Sequence, residues 1–164
     1  EISLGLVGSE MCIRDRYYEE KGMFENEVYP GIKQLLRDLI KQGVLCLVAT
    51  SKPEIYAKKI LDYYELSNYF YYIAGANMDG TRTDKAEVIA YALKQIPAEY
   101  SNKKVLMVGD RSHDIIGAKK NGIDCAGVLF GYGSREELEE AGADFVADSV
   151  EAVRNIVFLN AAKN

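Results

Sequence analysis

The 164-residue sequence has few of the features that mark secreted, membrane or nucleic-acid-binding proteins. Its 20 lysine and arginine residues are outnumbered by 25 aspartate and glutamate residues, and the net charge is −5. This acidic balance argues against nucleic acid or an anionic membrane as the main partner. No apolar run approaches the roughly 20 residues needed to cross a bilayer, and the N-terminus lacks a secretory signal pattern. We therefore expect no nucleic acid and no membrane among its partners.

Cysteine is also scarce. Cys12, Cys46 and Cys125 are odd in number, widely separated and without the spacing of a metal site. The last two fall in apolar runs typical of strands, where a buried thiol acts as a small apolar side chain. This usage predicts a reduced, cytoplasmic protein.

What the sequence does contain, from residue 30 onward, is a regular alternation of helix and strand patterns. Apolar runs that predict buried strands lie at 44–49, 71–74, 105–108, 125–130 and 145–146. Amphipathic helical patterns of about 10–15 residues separate them. Such βαβ units predict an α/β fold with a Rossmann-like, doubly wound parallel sheet.

Short polar patterns mark where three of the helices begin. Ser51 with Glu54 predicts a capping box, and the pairs Asp84 with Glu87 and Ser134 with Glu137 predict further helix starts. The acidic residues of the helix after Ser134 are expected to form a solvated face: Glu136, Glu137, Glu139 and Glu140.

The first 29 residues do not follow the alternating pattern. Residues 1–16 show neither helical nor strand periodicity, and their sequence is typical of a translated sequencing adapter; a disordered native tail is the alternative. Residues 17–29 are expected to be a helix end and linker. The predicted organisation is thus a non-native or disordered tail at 1–16, a helix end and linker at 17–29 and one core domain at 30–164.

Two acids follow the predicted strand 105–108. Asp110 comes directly after Gly109, and Asp114 lies four residues later, where a helix begins. Carboxylates next to an apolar core are costly unless a cation or hydrogen bonds compensate them, and Mg²⁺ prefers such oxygen ligands. Asp110 and Asp114 are therefore candidate Mg²⁺ ligands, although acids stabilising a helix N-terminus would look the same.

Two further polar groups are expected near the same edge of the sheet, since ligands bind at the carboxyl ends of parallel strands. Thr50 and Ser51 end the strand 44–49 at a predicted helix N-terminus, which suits a phosphate. Lys85 lies in the first turn of the next helix, where a cation opposes the helix dipole unless an anion is near. Each alone could be an ordinary capping or surface residue. His113, the only histidine, is expected to be exposed and non-catalytic.

The order strand-Thr50, lone Lys85, then strand-Gly109-Asp110-x-x-x-Asp114 resembles the haloacid dehalogenase-like phosphohydrolases. The segments LVATSKPEIYAKKIL, IAGANMDGTRTDKAEVI, VLMVGDRSHDIIGAKKNGID and GVLFGYGSREELEEAGADFVAD are similar to the phosphoglycolate phosphatase and 5′-nucleotidase-like subgroup. The resemblance covers residues 17 to about 155. It implies a HAD-like core acting as a Mg²⁺-dependent phosphatase on a small metabolite such as phosphoglycolate or a nucleoside monophosphate.

The resemblance also implies a role for each of these positions. Thr50 would hydrogen-bond the transferred phosphoryl group together with the Ser51 backbone N–H, and Lys85 would neutralise phosphate and nucleophile charge. Asp110 would ligate Mg²⁺, with Asp114 as the second acid.

The sequence departs from the family pattern at its nucleophile. The family's Asp-x-Asp-Gly-Thr strand does not precede residue 17, so the resemblance implies an N-terminally truncated copy, without its first strand and most of its helical cap. Residues 17–29 would then be a remnant of the cap domain and a linker, and residues 30–164 an incomplete core domain. Asn77 to Thr81 imitates the motif, but it follows the Thr50 strand and begins with an amide, which predicts a turn. We therefore expect little or no activity from this chain.

Two alternatives use other functions of similar residues. A non-catalytic Mg²⁺- and phosphate-binding pseudoenzyme, or a regulatory module of the same fold, would fit the absent nucleophile equally well. A response-regulator receiver domain also combines Asp, Thr and Lys with Mg²⁺, but there the acids come before the Thr and Lys.

Overall fold

The computed structural model describes residues 21–22 and 27–161. The predicted tail at 1–16 and most of the segment 17–29 lie outside these residues. The division of the chain into tail, remnant and core therefore stays a prediction.

Helices and strands alternate through the described residues. The helices are α1 (Ile32–Lys41), α2 (Glu54–Tyr63), α3 (Lys85–Leu93), α4 (Ser112–Lys120), α5 (Arg135–Glu140) and α6 (Val150–Ala161). The strands are β1 (Leu47–Pro53), β2 (Tyr72–Ala76), β3 (Leu106–Gly109), β4 (Asp124–Val128) and β5 (Phe145–Ala147), and short 3₁₀ turns lie at Ser67–Tyr69 and Ala98–Tyr100.

All of these strands pair in parallel, but they form two sheets. β1 pairs with β2, and β4 lies between β3 and β5. Both faces of the β3–β4–β5 sheet are covered. One core cluster joins it to α1 and α6 (Leu35, Leu39, Val128, Ala147, Val153), and another joins it to α4 and α5 (Ile115, Ala118, Cys125, Leu138). The predicted α/β class, with parallel strands and helices on both faces, is confirmed.

The capping patterns at Asp84 and Ser134 are confirmed as helix starts. The Asp84 carboxylate accepts a hydrogen bond from Ala86 N at 2.9 Å, and Ser134 Oγ accepts one from Glu137 N at 3.1 Å. Both bonds satisfy backbone N–H groups that have no partner within the first helical turn.

The capping box predicted for Ser51 and Glu54 is wrong. Strand β1 continues to Pro53, which precedes α2 without a side-chain cap. The Glu54 carboxylate instead accepts hydrogen bonds from Gly75 N and from Arg82 Nη2, each at 3.3 Å. Because these partners lie on β2 and the loop after it, a local sequence pattern could not reveal them. Thr50 and Ser51 thus lie in the strand and not at a helix N-terminus.

Burial differs between the strands in a way that is unusual for a parallel sheet. β2 and β4 contain fully buried residues, whereas none of the residues of β1 and β3 is fully buried. Val108 on β3 is 39% exposed although it is a large apolar residue. Strands with helices on both faces are ordinarily the most buried part of such a fold. In the described part of the chain, β1 and β3 therefore each have an edge without a strand partner.

Helices α3 and α4 connect the two sheets. α3 packs on β1 and β2, and it also contacts α4, which packs on β3 and β4. Close approach is possible because Gly117 has no side chain: a Cβ there would lie 3.0 Å from Ile89 Cδ1 and 3.1 Å from Lys85 Cγ. Within residues 21–22 and 27–161, no helix is both long and apolar enough to cross a membrane.

Candidate active site

Lys85 contacts both β1 and α4, the helix that packs on the other sheet. It is the first residue of α3, and its Nζ donates a hydrogen bond to the Ala49 carbonyl of β1 at 2.9 Å. The same ammonium lies 2.8 Å from Asp114 Oδ1 on α4. The two side chains are only 11% and 6% exposed. Since Ala49 directly precedes Thr50, the structure brings the Thr50, Lys85 and Asp114 motifs to one place.

Asp114 is held by the turn between β3 and α4. Its Oδ2 accepts hydrogen bonds from Asp110 N and Arg111 N, both at 3.1 Å. Its Oδ1 is buried and, apart from the Lys85 ion pair, has no hydrogen-bond donor among the described residues. Gly109 makes room for this carboxylate, because a Cβ there would overlap the Asp114 side chain. The acid is therefore fixed before any ligand arrives.

Asp110 is oriented by the loop that follows β4. Its Oδ2 accepts a hydrogen bond from Tyr132 N at 2.9 Å. A Cβ at Gly131 would overlap the Asp110 side chain, and one at Gly133 would overlap its carbonyl oxygen. Glycine at these two positions lets the loop approach the carboxylate closely. The second oxygen of Asp110 makes no hydrogen bond to the residues that the structure describes.

Thr50 and Ser51 lie near the carboxyl end of β1. Thr50 is half-buried and its Oγ1 accepts a hydrogen bond from Lys52 N at 3.2 Å, whereas Ser51 is exposed. This arrangement leaves the Thr50 hydroxyl hydrogen available to donate. Any phosphate here would meet a hydroxyl and strand amides, and not the helix N-terminus that we predicted.

The two acids fit a Mg²⁺ ion in part. In residues 21–22 and 27–161, no group of three or more His, Cys, Asp or Glu side chains could hold a metal. Mg²⁺, however, is commonly held by one or two carboxylates together with waters and substrate oxygens. The Asp110 oxygen without a hydrogen bond is of this type, whereas Asp114 Oδ1 pairs with the Lys85 ammonium and Asp114 Oδ2 accepts two backbone N–H groups.

The exposure of His113 and the turn at Asn77 to Thr81 are confirmed, whereas the non-catalytic role of His113 stays a prediction. His113 is exposed, with 56% of its side chain accessible, and lies 3.9 Å from Asp114 Oδ1. The segment Asn77 to Thr81 is a turn, in which Asp79 Oδ1 accepts hydrogen bonds from Thr81 N at 2.9 Å and Thr81 Oγ1 at 2.6 Å. These bonds lower the pKa of Asp79.

Glu137 was wrongly predicted to belong to a solvated face. Its Oε1 accepts hydrogen bonds from Ser112 N at 2.8 Å and from Arg111 Nε at 3.0 Å. The Ser112 N–H and then the Arg111 guanidinium lower the pKa of Glu137 to about 2. The Ser134-x-x-Glu137 spacing predicted a carboxylate turned toward its own helix start. The contact with residues 25 and 26 positions away left no pattern in the sequence.

The family comparison agrees with this site. The haloacid dehalogenase-like hydrolase family matches residues 9–128, which include Thr50, Lys85, Asp110 and Asp114. This chain belongs to the haloacid dehalogenase-like hydrolase family. The family resemblance stated from the four motifs is thereby confirmed.

Several relatives of this hydrolase have names that specify an activity. A 5′-nucleotidase of Pseudomonas aeruginosa is 37% identical over 147 residues, covering 86% of this chain and 65% of the relative. The tyrosine-protein kinase PtkA of Mycobacterium tuberculosis is 40% identical, covering 88% and 50%. Phosphoglycolate phosphatases of Vibrio species are 26% to 29% identical over 90% to 98% of the chain.

A solved structure shows the same fold. A predicted phosphatase from Clostridium acetobutylicum superposes with a TM-score of 0.80 at 42% identity, covering 87% of this chain and 65% of that protein. The chain spans half to two-thirds of the length of the first curated relatives that it matches.

Proposed function

We propose that this hydrolase is the core of a Mg²⁺-dependent phosphatase acting on a small phosphorylated metabolite, such as phosphoglycolate or a nucleoside monophosphate. The main support is the Lys85 ammonium, which lies between the end of β1 and the buried Asp114 carboxylate. A buried cation beside a carboxylate and a free hydroxyl suits a phosphate ester. The names of the relatives suggest the two substrate classes.

Each residue then has a distinct task. Thr50 donates its hydroxyl hydrogen to a phosphoryl oxygen, assisted by the Ser51 N–H. Lys85 neutralises phosphate charge while it remains positioned by the Ala49 carbonyl. Asp110 would ligate Mg²⁺, with Asp114 as the second acid of the site, and the ion supplies further charge neutralisation and alignment when it is bound. Phosphoryl transfer depends mainly on such positioning and electrostatic stabilisation.

The nucleophile would come from a strand between β1 and β3. Among the described residues, each of these strands has an edge without a strand partner; Thr50 lies in the second half of β1, and Asp110 directly follows β3. An aspartate at the end of a strand in that position would lie beside the phosphoryl group and could form an aspartyl phosphate. No strand of the described residues occupies this position. We therefore propose that residues 1–164 alone have little or no phosphatase activity.

A peptide addition assay tests the proposal. p-Nitrophenyl phosphate, phosphoglycolate and nucleoside monophosphates are each supplied with Mg²⁺, with and without a synthetic apolar strand ending in Asp-x-Asp-Gly-Thr. We expect turnover only with the peptide, and none when Asn replaces its first Asp. Asp110→Ala should abolish the restored turnover.

Other outcomes would lead to other conclusions. Turnover by residues 1–164 without peptide, abolished by Asp110→Ala, would contradict the proposed origin of the nucleophile. Binding of Mg²⁺ and a phosphate analogue without any turnover, with the peptide bound, would favour the pseudoenzyme or regulatory module. Transfer from ATP to a tyrosine peptide would favour the activity in the name of the mycobacterial relative.

We also propose a cytoplasmic location. Cys46 and Cys125 are free thiols that pack as small apolar side chains in two core clusters. Burial raises the pKa of both thiols, which keeps them in the less reactive protonated form. Such use of cysteine is usual in a reducing compartment.

A further inference from the structure

We infer that Glu137 is a positioning residue: it fixes the backbone between Asp110 and Asp114, and thereby the direction of both candidate Mg²⁺ ligands. This inference rests on the proposed function, in which these two acids hold the metal. Glu137 itself touches neither acid and would act through Arg111 and Ser112.

The contact is directed at the residues between the two acids. Glu137 Oε1 lies 2.8 Å from Ser112 N, the first residue of α4, and 3.0 Å from Arg111 Nε. Ser112 N is one of the N–H groups that have no acceptor within the helix. Glu137 Oε1 therefore binds both a backbone N–H and a side chain of the turn between β3 and α4.

Helix α5, which carries Glu137, is anchored in the core. Its N-terminus is capped by Ser134, and Leu138, the next residue after Glu137, is fully buried. Gly127 on β4 allows Leu138 this depth, since a Cβ there would lie 2.8 Å from Leu138 Cδ1. Glu137 is thus attached to the core cluster beneath the turn, so its carboxylate has little freedom to move away.

The loop before α5, residues 131–134, contacts the same turn at Asp110. Tyr132 N donates to the Asp110 carboxylate, and Gly133 lies against the Asp110 carbonyl. The segment 131–137 therefore contacts Asp110, Arg111 and Ser112 in sequence. Removing the Glu137 carboxylate would leave Asp110 with its contacts to the loop at 131–133 and to Asp114, while Ser112 N and the Arg111 side chain would lose their acceptor.

The experiment compares Glu137→Ala and Glu137→Gln with Glu139→Ala in the full chain. Glu139 lies on the same helix and pairs with Arg135 at 3.2 Å on the exposed side, so it is a matched control. Two quantities are measured: amide hydrogen exchange at Asp110 and Arg111, whose N–H groups donate to Asp114, and the affinity for Mg²⁺ alone by calorimetry.

We expect Glu137→Ala to speed exchange at the Asp110 and Arg111 amides at least tenfold and to weaken Mg²⁺ binding about 10- to 100-fold, the usual effect of losing a residue that orients metal ligands. Glu137→Gln should recover part of both, because its amide oxygen still accepts from Ser112 N. Glu139→Ala should change neither quantity.

Each remaining outcome has a defined meaning. Unchanged exchange at Asp110 and Arg111 in Glu137→Ala would overturn the inference, as would faster exchange with unchanged Mg²⁺ affinity. If the unaltered chain binds no Mg²⁺, the metal part of the proposed function fails. The exchange rates would still decide whether Glu137 holds the turn.

Discussion

At the scale of single residues, the Lys85–Asp114 pair dominates the energetics of the site. Both side chains are nearly inaccessible, so removing one leaves the other charged group buried without its partner. Asp114→Asn should lower the free energy of unfolding by about 3–5 kcal/mol in urea denaturation. The exposed pair Lys33–Glu65 is the control, and Lys33→Met should cost no more than about 1 kcal/mol.

A double substitution distinguishes a charge effect from a loss of packing. The double variant Lys85→Met/Asp114→Leu removes both charges. Its loss of unfolding free energy should be smaller than the sum of the losses for Lys85→Met and Asp114→Leu measured singly, because no unpaired charge remains. Equal losses for Asp114→Asn and Lys33→Met would contradict the importance of the buried pair.

The lowered pKa of Glu137 predicts a pH-dependent contribution to stability. Hydrogen bonds from Ser112 N and Arg111 move this pKa from 4.5 in the unfolded chain to about 2 in the fold. A depressed carboxylate pKa stabilises the fold above the unfolded value, and this stabilisation is lost as the pH falls toward the folded value. The unfolding free energies of the wild type and Glu137→Gln should therefore differ by a constant amount above pH 4.5 and converge toward pH 2. Denaturation at a series of pH values measures this, and a difference that persists unchanged at pH 2 would contradict it.

At the scale of secondary-structure elements, the contact between α3 and α4 determines where Lys85 lies. Gly117→Val should insert methyl groups between Lys85 Cγ and Ile89 Cδ1, separate the helices and lower the free energy of unfolding by about 1–3 kcal/mol. The neighbouring Ile116 is 44% exposed. The control variant Ile116→Val introduces valine on the exposed face of α4. It should change the free energy of unfolding by less than about 0.5 kcal/mol. Equal effects in thermal or urea denaturation would indicate that the contact is not close.

The elements also show what the sequence could reveal. Strand positions followed from continuous apolar runs, and the starts of α3 and α5 followed from Asp84 and Ser134, because these depend on neighbours within a few residues. The start of α2 and the partners of Glu137 could not be predicted. The carboxylates of Glu54, at the start of α2, and of Glu137 accept hydrogen bonds from backbone N–H groups more than 20 residues away. The proximity of Lys85 to Asp114 was accessible from the sequence because parallel strands gather their carboxyl ends at one edge.

At the scale of the whole molecule, the edges of β1 and β3 that have no strand partner among the described residues are expected to favour association. Unpaired strand edges with apolar side chains favour pairing with other chains. We expect marginal stability and concentration-dependent association, measured by light scattering across a dilution series. Val108→Lys, which places a charge on β3, should reduce the association, whereas Ile116→Lys on α4 should not. A monomer with a sharp and reversible melt would contradict this expectation.

The link between the sheets through α3 and α4 has a consequence for cooperativity. Small domains usually unfold in one step. In a continuous sheet, backbone hydrogen bonds between neighbouring strands help to couple the whole domain. Here the unit built on β1 and β2 and the unit built on β3 to β5 are joined by side chains, among them the Lys85–Asp114 pair. We therefore expect the two units to open as separate cooperative units, beginning at the contact between α3 and α4.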